Sequence, residues 1–516
     1  MSRIANSMKN FVSGMFGMGL TTVAKFITRS VFIMTLGKKF LGVSALFTNI
    51  ISILSLTELG VGNAIIFNLY KPIAQKDEKK ICMLMNLYSK VYRIIGIIIL
   101  AIGICLIPFL DVIIKDDISF FNAPLIFVLY LLQSVSTYMF FAYKRALIVA
   151  NQKEYKIIVL NYVIIIASNL TEVLILYFTR SFELYVSCLI FFNLLQNIIV
   201  GYISNRMYPF AGKKIKEKLP KSEIKEIFKN CYAIFIYKVN SVVINSTDNI
   251  VLSIFIGLEI VGFYSNYVLI YTSIRSIIVV FYNAITASLG NLHASGNSEH
   301  EYFIFKFINL ITAMIFGVAS VGFFVVSNKF IILWIGEEFL LETCFAFLMA
   351  TELFLYGFLK VLATFRTAMG LFQQAKYRPV FGMIINLAVS LILVQYIGIY
   401  GIVIGTLASN ILTYLWYDPN IIYKYGFKRP STEYFISLVK YALTIFFAGV
   451  VAFLICNIFP LSGWLGIFAH AAICSVVVIL FMLLVYVRTQ EVKYLIGMIK
   501  TYSCKLLKIK QEKMKK

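Results

Sequence analysis

Charge is scarce in this sequence: Asp, Glu, Lys and Arg make up 14% of 516 residues, where soluble domains carry about 25%. That leaves too little charged surface to keep a globule of this size in water, and it excludes a soluble enzyme. Histidine is nearly missing, with three in the chain, and the eight cysteines show neither CxxC nor Cys/His spacing. The cysteines lie mostly within apolar runs and read as small hydrophobes, neither disulfides nor zinc ligands. Acid is the scarcer sign, 24 Asp and Glu against 47 Lys and Arg, for a net charge of +23. The start, MSRIANSMKN, has no small-residue cleavage site behind a short apolar core, so no removed signal peptide is expected.

In place of charge the chain has apolar residues, 60% of the total. A membrane-spanning helix takes about 20 of them. Fourteen apolar runs are long enough to span, the first at 11–36 and 42–70, the last at 434–458 and 464–487. Their length and lack of strict alternation exclude a barrel wall. The expected fold is therefore all-α, a polytopic membrane protein of about fourteen transmembrane helices. If the N-terminus is cytoplasmic, the loops and tail on its side hold 29 Lys and Arg and the opposite loops hold 5. Positive-inside topology then puts both termini in the cytoplasm and accounts for the basic excess without nucleic acid as a partner. One loop on that side, His293 to Glu301, has no Lys or Arg and is the weak point of the assignment.

An internal repeat organises the runs. Shifting the sequence by 220 residues lays Leu36-Gly37, Leu41-Gly42 and Asn63-Ala64-Ile65 on Ile256-Gly257, Val261-Gly262 and Asn283-Ala284-Ile285. A shift of 222 lays Ala146, Gln152, Tyr155 and Lys156 on Ala368, Gln374, Tyr377 and Arg378. Six spans per copy return the chain to the same side, so the repeat is parallel, with a substrate site expected between two pseudo-symmetric six-helix lobes. The expected organisation is an N-terminal lobe at 1–207 and a basic cytoplasmic linker with an amphipathic helix at 208–230. A C-terminal lobe follows at 231–430, then a further pair of spans at 431–487 and a basic tail at 488–516.

Ionisable residues within spans are costly and normally face protein or water. Lys25 and Arg29 share a helical face in the first span; Glu58 lies in the second, with Ser55 and Gly62 at helical spacing. Lys238, Ser241, Asn245 and Asp248 form a polar stripe in the seventh span. Tyr267, Tyr271 and Arg275 align in the eighth, and Glu352, Tyr356 and Lys360 in the tenth, with Arg366 beyond them. The expected cavity lining is Lys25, Arg29, Glu58, Asn63, Asn245, Asp248, Tyr271, Arg275, Asn283, Lys360 and Arg366. It is cationic and suits a phosphate or pyrophosphate, with tyrosine faces for sugar rings. The bland readings are mutual neutralisation of Glu58 with Arg29 and of Asp248 with Lys238, and snorkelling by Lys144, Arg145, Lys360 and Arg366. Glu172 is a lone acid, and His470 reads as a packed side chain. No metal site or cofactor is expected.

The opening span with Arg29, followed by LGKKFLGVSALFTNI, the stretch TELGVGNAI from Thr57 to Ile65, IGLEIVGFYSNY, and Tyr282-Asn283-Ala284 together resemble the bacterial polysaccharide repeat-unit flippases. These are the Wzx-type lipid-linked oligosaccharide translocases of the MOP superfamily, relatives of MATE drug exporters and lipid II flippases. The resemblance implies two six-helix lobes in alternating access. It implies an undecaprenyl-pyrophosphate-linked oligosaccharide moved to the outer leaflet of the cell membrane, and a polymerase and glycosyltransferases as partners. It also implies basic contacts to the pyrophosphate from residues placed like Lys25, Arg29 and Arg275, and a coupling ion, Na+ or H+, at Glu58, Glu172 or Asp248. A MATE-type exporter of organic cations is the main alternative. A membrane polysaccharide polymerase or ligase is weaker, because no external loop is large enough to carry catalysis.

Overall fold

The computed structural model describes residues 2–58, 61–115, 121–141, 143–151, 153, 155–212, 219–371, 374–498 and 500–501. The described residues are overwhelmingly helical and contain no strand. In chain order the helices are α1 (Ser2–Leu54), α2 (Val61–Gln75), α3 (Glu78–Leu106), α4 (Leu110–Ile113), α5 (Ala123–Met139) and α6 (Tyr143–Ala150). Next come α7 (Tyr155–Thr179), α8 (Phe182–Met207), α9 (Lys221–Phe255), α10 (Leu258–Ala294), α11 (Ser298–Ile335) and α12 (Thr343–Ala368). The last are α13 (Arg378–Ile397), α14 (Ile399–Ser409), α15 (Trp416–Ile421), α16 (Thr432–Ile458) and α17 (Gly463–Tyr486).

Eleven described helices or helical runs are long and apolar enough to cross a membrane, and the bent pair of α5 and α6, at 48°, makes twelve. Among the described residues the fourteen runs of the sequence fall on helices, the second passing from α1 into α2 and the fourth crossing the bend between α5 and α6. Two are joined in α1, where Gly37 at φ 84° breaks an otherwise continuous helix, and the seventh lies on α9, whose first described apolar stretch begins at Val242. α14 and α15 belong to one run, from Ile399 to Phe427. It is interrupted by π-helical turns at Asn410–Leu415 and Ile422–Phe427, with Pro419 between them. A proline inside a helix removes one amide donor and crowds the carbonyl of the preceding turn, which is why the regular ladder fails there.

The chain folds as two compact units: Met1–Asn266 with Met383–Gly405, and Tyr267–Gly382 with Thr406–Lys516. In the first unit, Ile81, Leu84, Tyr88, Ile99, Leu131 and Leu147 pack a buried core. Ile227 is buried in it and Ile224 packs against it, so the first turns of α9 lay their apolar face on protein; Lys80 pairs with Glu223 at 3.0 Å beside them.

The repeat has a physical counterpart inside this first unit. Gly257 adopts φ 133°, as Gly37 adopts φ 84° at the matching position of the first copy. A Cβ on Gly42 would collide with the Leu258 carbonyl, and a Cβ on Gly262 would lie 2.8 Å from the Lys38 carbonyl oxygen. Lys38 corresponds to Leu258 and Gly42 to Gly262, so one contact is made twice with its partners exchanged, the signature of a two-fold relation. Absence of a side chain is what lets the backbones approach so closely.

In the second unit, aromatic rings fill the space around Phe305, which meets Phe365, Tyr423, Phe427 and Tyr434 at centroid distances of 4.9 to 6.0 Å. At the start of α11, Glu299 receives a hydrogen bond from Arg429, which precedes α16, while Tyr302 donates to Glu433 at 2.6 Å. The connection that lacks Lys and Arg thus shares one end of the unit with a basic connection, as alternating topology requires.

Candidate functional site

In the first unit, α1 places Arg29 half-buried against the beginning of α10. Its Nε donates to Asn266 Oδ1 at 3.0 Å and an Nη donates to the Ser265 hydroxyl. The rings of Tyr130 and Tyr185 lie within electrostatic range. One residue earlier, the Thr28 hydroxyl donates to Asn169 Oδ1 at 2.9 Å and fastens the same turn to α7. Asn266 is fully buried, and among the described residues its Nδ2 has no hydrogen-bond partner. No carboxylate forms an ion pair with Arg29 among the described residues, so the guanidinium keeps its charge against amide, hydroxyl and ring. Lys25, one turn earlier, is exposed.

Glu58, the suggested neutraliser of Arg29, instead accepts a hydrogen bond from Tyr92 at 3.4 Å. Asp248 accepts one from Tyr264 at 3.0 Å and is 8% exposed. Glu172 is buried and accepts from Ser168 at 2.6 Å. The side chains of Asn63 and Asn245, and of Lys238 and Ser241 in the stripe, lie outside the described residues.

The second unit brings two of the sequence stripes together. Arg275 on α10 stacks its guanidinium 3.7 Å from the centre of the Tyr356 ring on α12 and donates to Tyr271 at 3.5 Å. Tyr271 also shares a hydrogen bond with buried Glu352, whose charge acts on this cation. A planar, weakly hydrated cation gains from such a ring face and keeps its remaining N–H groups for other acceptors. Lys360, one turn beyond Tyr356, donates to Asn283 Oδ1 at 3.1 Å.

Arg366 belongs to a different arrangement. It is 6% exposed and lies 3.9 Å from Asp418, which also receives Arg378. Arg378 in turn sits 4.3 Å over the Tyr414 ring. Instead of snorkelling to the surface, Arg366 is held in an ion cluster joining α12, α13 and α15. His470 is fully buried, with Nε2 3.1 Å from the Phe459 carbonyl and Lys329 3.4 Å from its Nδ1.

Two further features escape a search for charge. Within the first unit a cavity of about 460 Å³ lies among α3, α5, α6, α7 and α8, and one of about 390 Å³ shares Gln133, Thr137, Tyr138 and Asn193 with it. Their polar lining is mostly amide and hydroxyl, which weigh little in a charge count; the signal in the sequence is Asn193, Gln196 and Asn197 at i, i+3 and i+4. Within the second unit an almost wholly apolar groove of about 550 Å³ runs between α11, α12 and α16, with Phe324, Phe347, Phe354, Phe446 and Phe453 among its walls.

No protein-family model and no curated protein sequence matches the chain. Solved structures do. The lipid II flippase MurJ in an inward closed conformation superposes with a TM-score of 0.61 at 14% identity, over 94% of this chain and 99% of that one. An inward-facing multidrug resistance MATE family transporter of the MOP superfamily gives 0.56 at 15% identity, over 79% and 96%. A MOP superfamily transporter from Pyrococcus furiosus, described by a binding pocket of reversed polarity, gives 0.53 at 16% identity, over 81% and 96%. At such identities the likeness establishes the fold alone: the chain has the all-α, MATE-like architecture of these structures.

Proposed function

We propose that this chain is a transporter of the cell membrane that flips undecaprenyl-pyrophosphate-linked oligosaccharide repeat units from the cytoplasmic to the outer leaflet, supplying capsule, exopolysaccharide or O-antigen assembly. The observation that carries the reading is the pair Arg29 and Arg275. Each is a guanidinium inside a membrane-spanning helix, held by uncharged amide, hydroxyl or phenol groups. Among the described residues neither guanidinium has a direct ion pair, Glu352 reaching Arg275 through Tyr271. A cation within a span normally faces protein partners or a watery cavity, and a diphosphate is an anion that a guanidinium fork fits well. The apolar groove between α11, α12 and α16 offers the isoprenoid tail of such a substrate a protein surface in the hydrocarbon. In this reading the chain is a carrier and not an enzyme, its termini are cytoplasmic, and glycosyltransferases and a polymerase act before and after it. A Na+ or H+ gradient, read by Glu58, Glu172 or Asp248, is the proposed energy source.

The test is complementation of a strain lacking the gene with Arg29→Ala and Arg275→Ala. Both variants are expected to insert in the membrane and fail to restore surface polysaccharide; normal polymer from both sinks the proposal. Export of organic cations is the second reading, favoured by Glu58 on the wall of the first unit's cavity and by the MATE fold neighbours. Drug accumulation that rises in Glu58→Gln, with polysaccharide untouched, would support it instead.

A further inference from the structure

We infer that the amide-lined cavity inside the first unit is a subsite for an uncharged sugar residue. The inference rests on the flippase reading for its biological meaning, but its observations are separate from the two arginines. Each of the two joined cavities, about 460 and 390 Å³, falls within the range of about 300 to 1,000 Å³ typical of small-molecule sites. Among their lining residues Glu58 and Arg145 are the charged ones, one of each sign. The two charges cancel in the sum, so the lining as a whole carries no net charge and most of its polar surface is neutral.

What it does have is amides. Asn193 Nδ2 donates to the Thr137 hydroxyl at 3.0 Å, and Asn197 Nδ2 donates to Asn193 Oδ1 at 3.0 Å. Gln196 Nε2 donates to Asn161 Oδ1 at 3.0 Å. Asn193 is fully engaged, since it also donates to the Gln133 carbonyl at 3.5 Å and accepts from Thr137 at 3.3 Å, and it serves to orient its neighbours. Asn197 and Gln196 are fixed in plane by one bond each and keep an N–H and a carbonyl for a ligand, because an amide has two N–H donors and a carbonyl with two lone pairs. Among the described residues the side-chain amide of Gln133, which lines both cavities, makes no hydrogen bond to protein. A planar amide presents a donor and an acceptor side by side, the pattern that two neighbouring sugar hydroxyls complement. The rings of Tyr92 and Tyr138 line the same wall and give the apolar face of a pyranose a surface to rest on. Polar groups within spans are costly unless protein, water or a ligand meets them, and a polyol is suited to the ones that protein leaves open.

The experiment uses the full-length protein in lipid nanodiscs and saturation-transfer NMR with glucose, galactose, mannose, N-acetylglucosamine and N-acetylgalactosamine. Inorganic pyrophosphate is titrated separately. At least one sugar is expected to bind, about tenfold more weakly to Gln133→Leu, whose side chain gives up no hydrogen bond to a described residue and so should leave the fold intact. Asn193→Leu should weaken the same sugar, and Arg29→Ala should leave it unchanged while weakening pyrophosphate. No binding by any sugar, or binding that Gln133→Leu and Asn193→Leu do not alter, overturns the subsite and identifies a cavity that holds water. Displacement of a bound sugar by tetraphenylphosphonium, with Glu58→Gln abolishing the displacement, overturns its neutral character. Loss of the pyrophosphate arm alone, with the sugar arm intact, counts against the flippase reading and leaves the subsite standing.

Discussion

Gly42 lies against the backbone carbonyl of Leu258 so closely that no side chain fits between them, and Gly262 meets the carbonyl of Lys38 in the reciprocal way. The two contacts join segments that the repeat aligns. Gly42→Ala forces two backbones apart and is expected to destabilise by about 1 to 3 kcal/mol, the usual range for overpacking. Gly262→Ala should cost less, because its added methyl has 2.8 Å to the nearest atom. Gly19→Ala, with nothing within 4 Å of the new carbon, is the neutral control. Thermal unfolding in detergent with a thiol-reactive dye ranks the three; equal midpoints for Gly42→Ala and Gly19→Ala would remove this contact from the account of the fold.

Asp418 is the carboxylate that Arg366 and Arg378 share in their buried cluster. Removing one partner of a buried ion pair leaves an uncompensated charge, which costs about 3 to 5 kcal/mol. Asp418→Asn is therefore expected to lower expression and the unfolding midpoint sharply. Arg378→Gln combined with Asp418→Asn should recover much of the loss, because the remaining mismatch is smaller. A double mutant no better than Asp418→Asn alone would show that Arg378 is not what the aspartate neutralises.

The all-helical membrane architecture was legible, though fourteen runs stand against eleven or twelve membrane-long helices among the described residues, because hydrocarbon thickness imposes a length and a composition that a linear sequence displays directly. The repeat was legible through Gly37, Gly42 and their partners, since close approach and positive φ leave glycine little substitute. The role of Arg366 was not. Its nearness to a helix end suggested snorkelling, while the group that holds it, Asp418, lies far along the chain beside a proline and two π-helical turns that hydropathy does not register. The amides of α5 and α8 were missed because an uncharged side chain scarcely lowers the apolar character of a span. Which amides share one cavity is decided by tertiary packing, as when Thr137 meets Asn193 across two helices.

The stacked geometry of Arg275 makes a prediction that charge alone does not. Arg275→Lys preserves the positive charge but loses the flat guanidinium that covers Tyr356 at 3.7 Å. Polysaccharide export in this variant should fall at least tenfold. Tyr356→Phe keeps the ring and should stay within about twofold, because the face is what the cation uses, whereas Tyr356→Leu should behave like Arg275→Lys. Export by Arg275→Lys at the wild-type level would mean that a point charge suffices at this position.

Asn266 provides the sharpest separation of structure from function. If Arg29 acts because its partners leave its charge available, then Asn266→Asp, nearly the same size, should disable it by supplying the missing counter-ion at a distance now occupied by an amide, 3.0 Å from Nε. Charge-assisted hydrogen bonds are stronger than neutral ones, so this variant should fold at least as well as the parent and resist heat equally, yet export little or no polymer and bind pyrophosphate weakly. Asn266→Leu breaks the same hydrogen bond without adding charge, and it should lose stability before it loses anion affinity. The two variants thus fail in opposite order if the free charge of Arg29 is what the substrate meets. If Asn266→Asp instead exports normally while remaining folded, Arg29 serves to pin α1 to α10, and the pyrophosphate contact must be sought elsewhere.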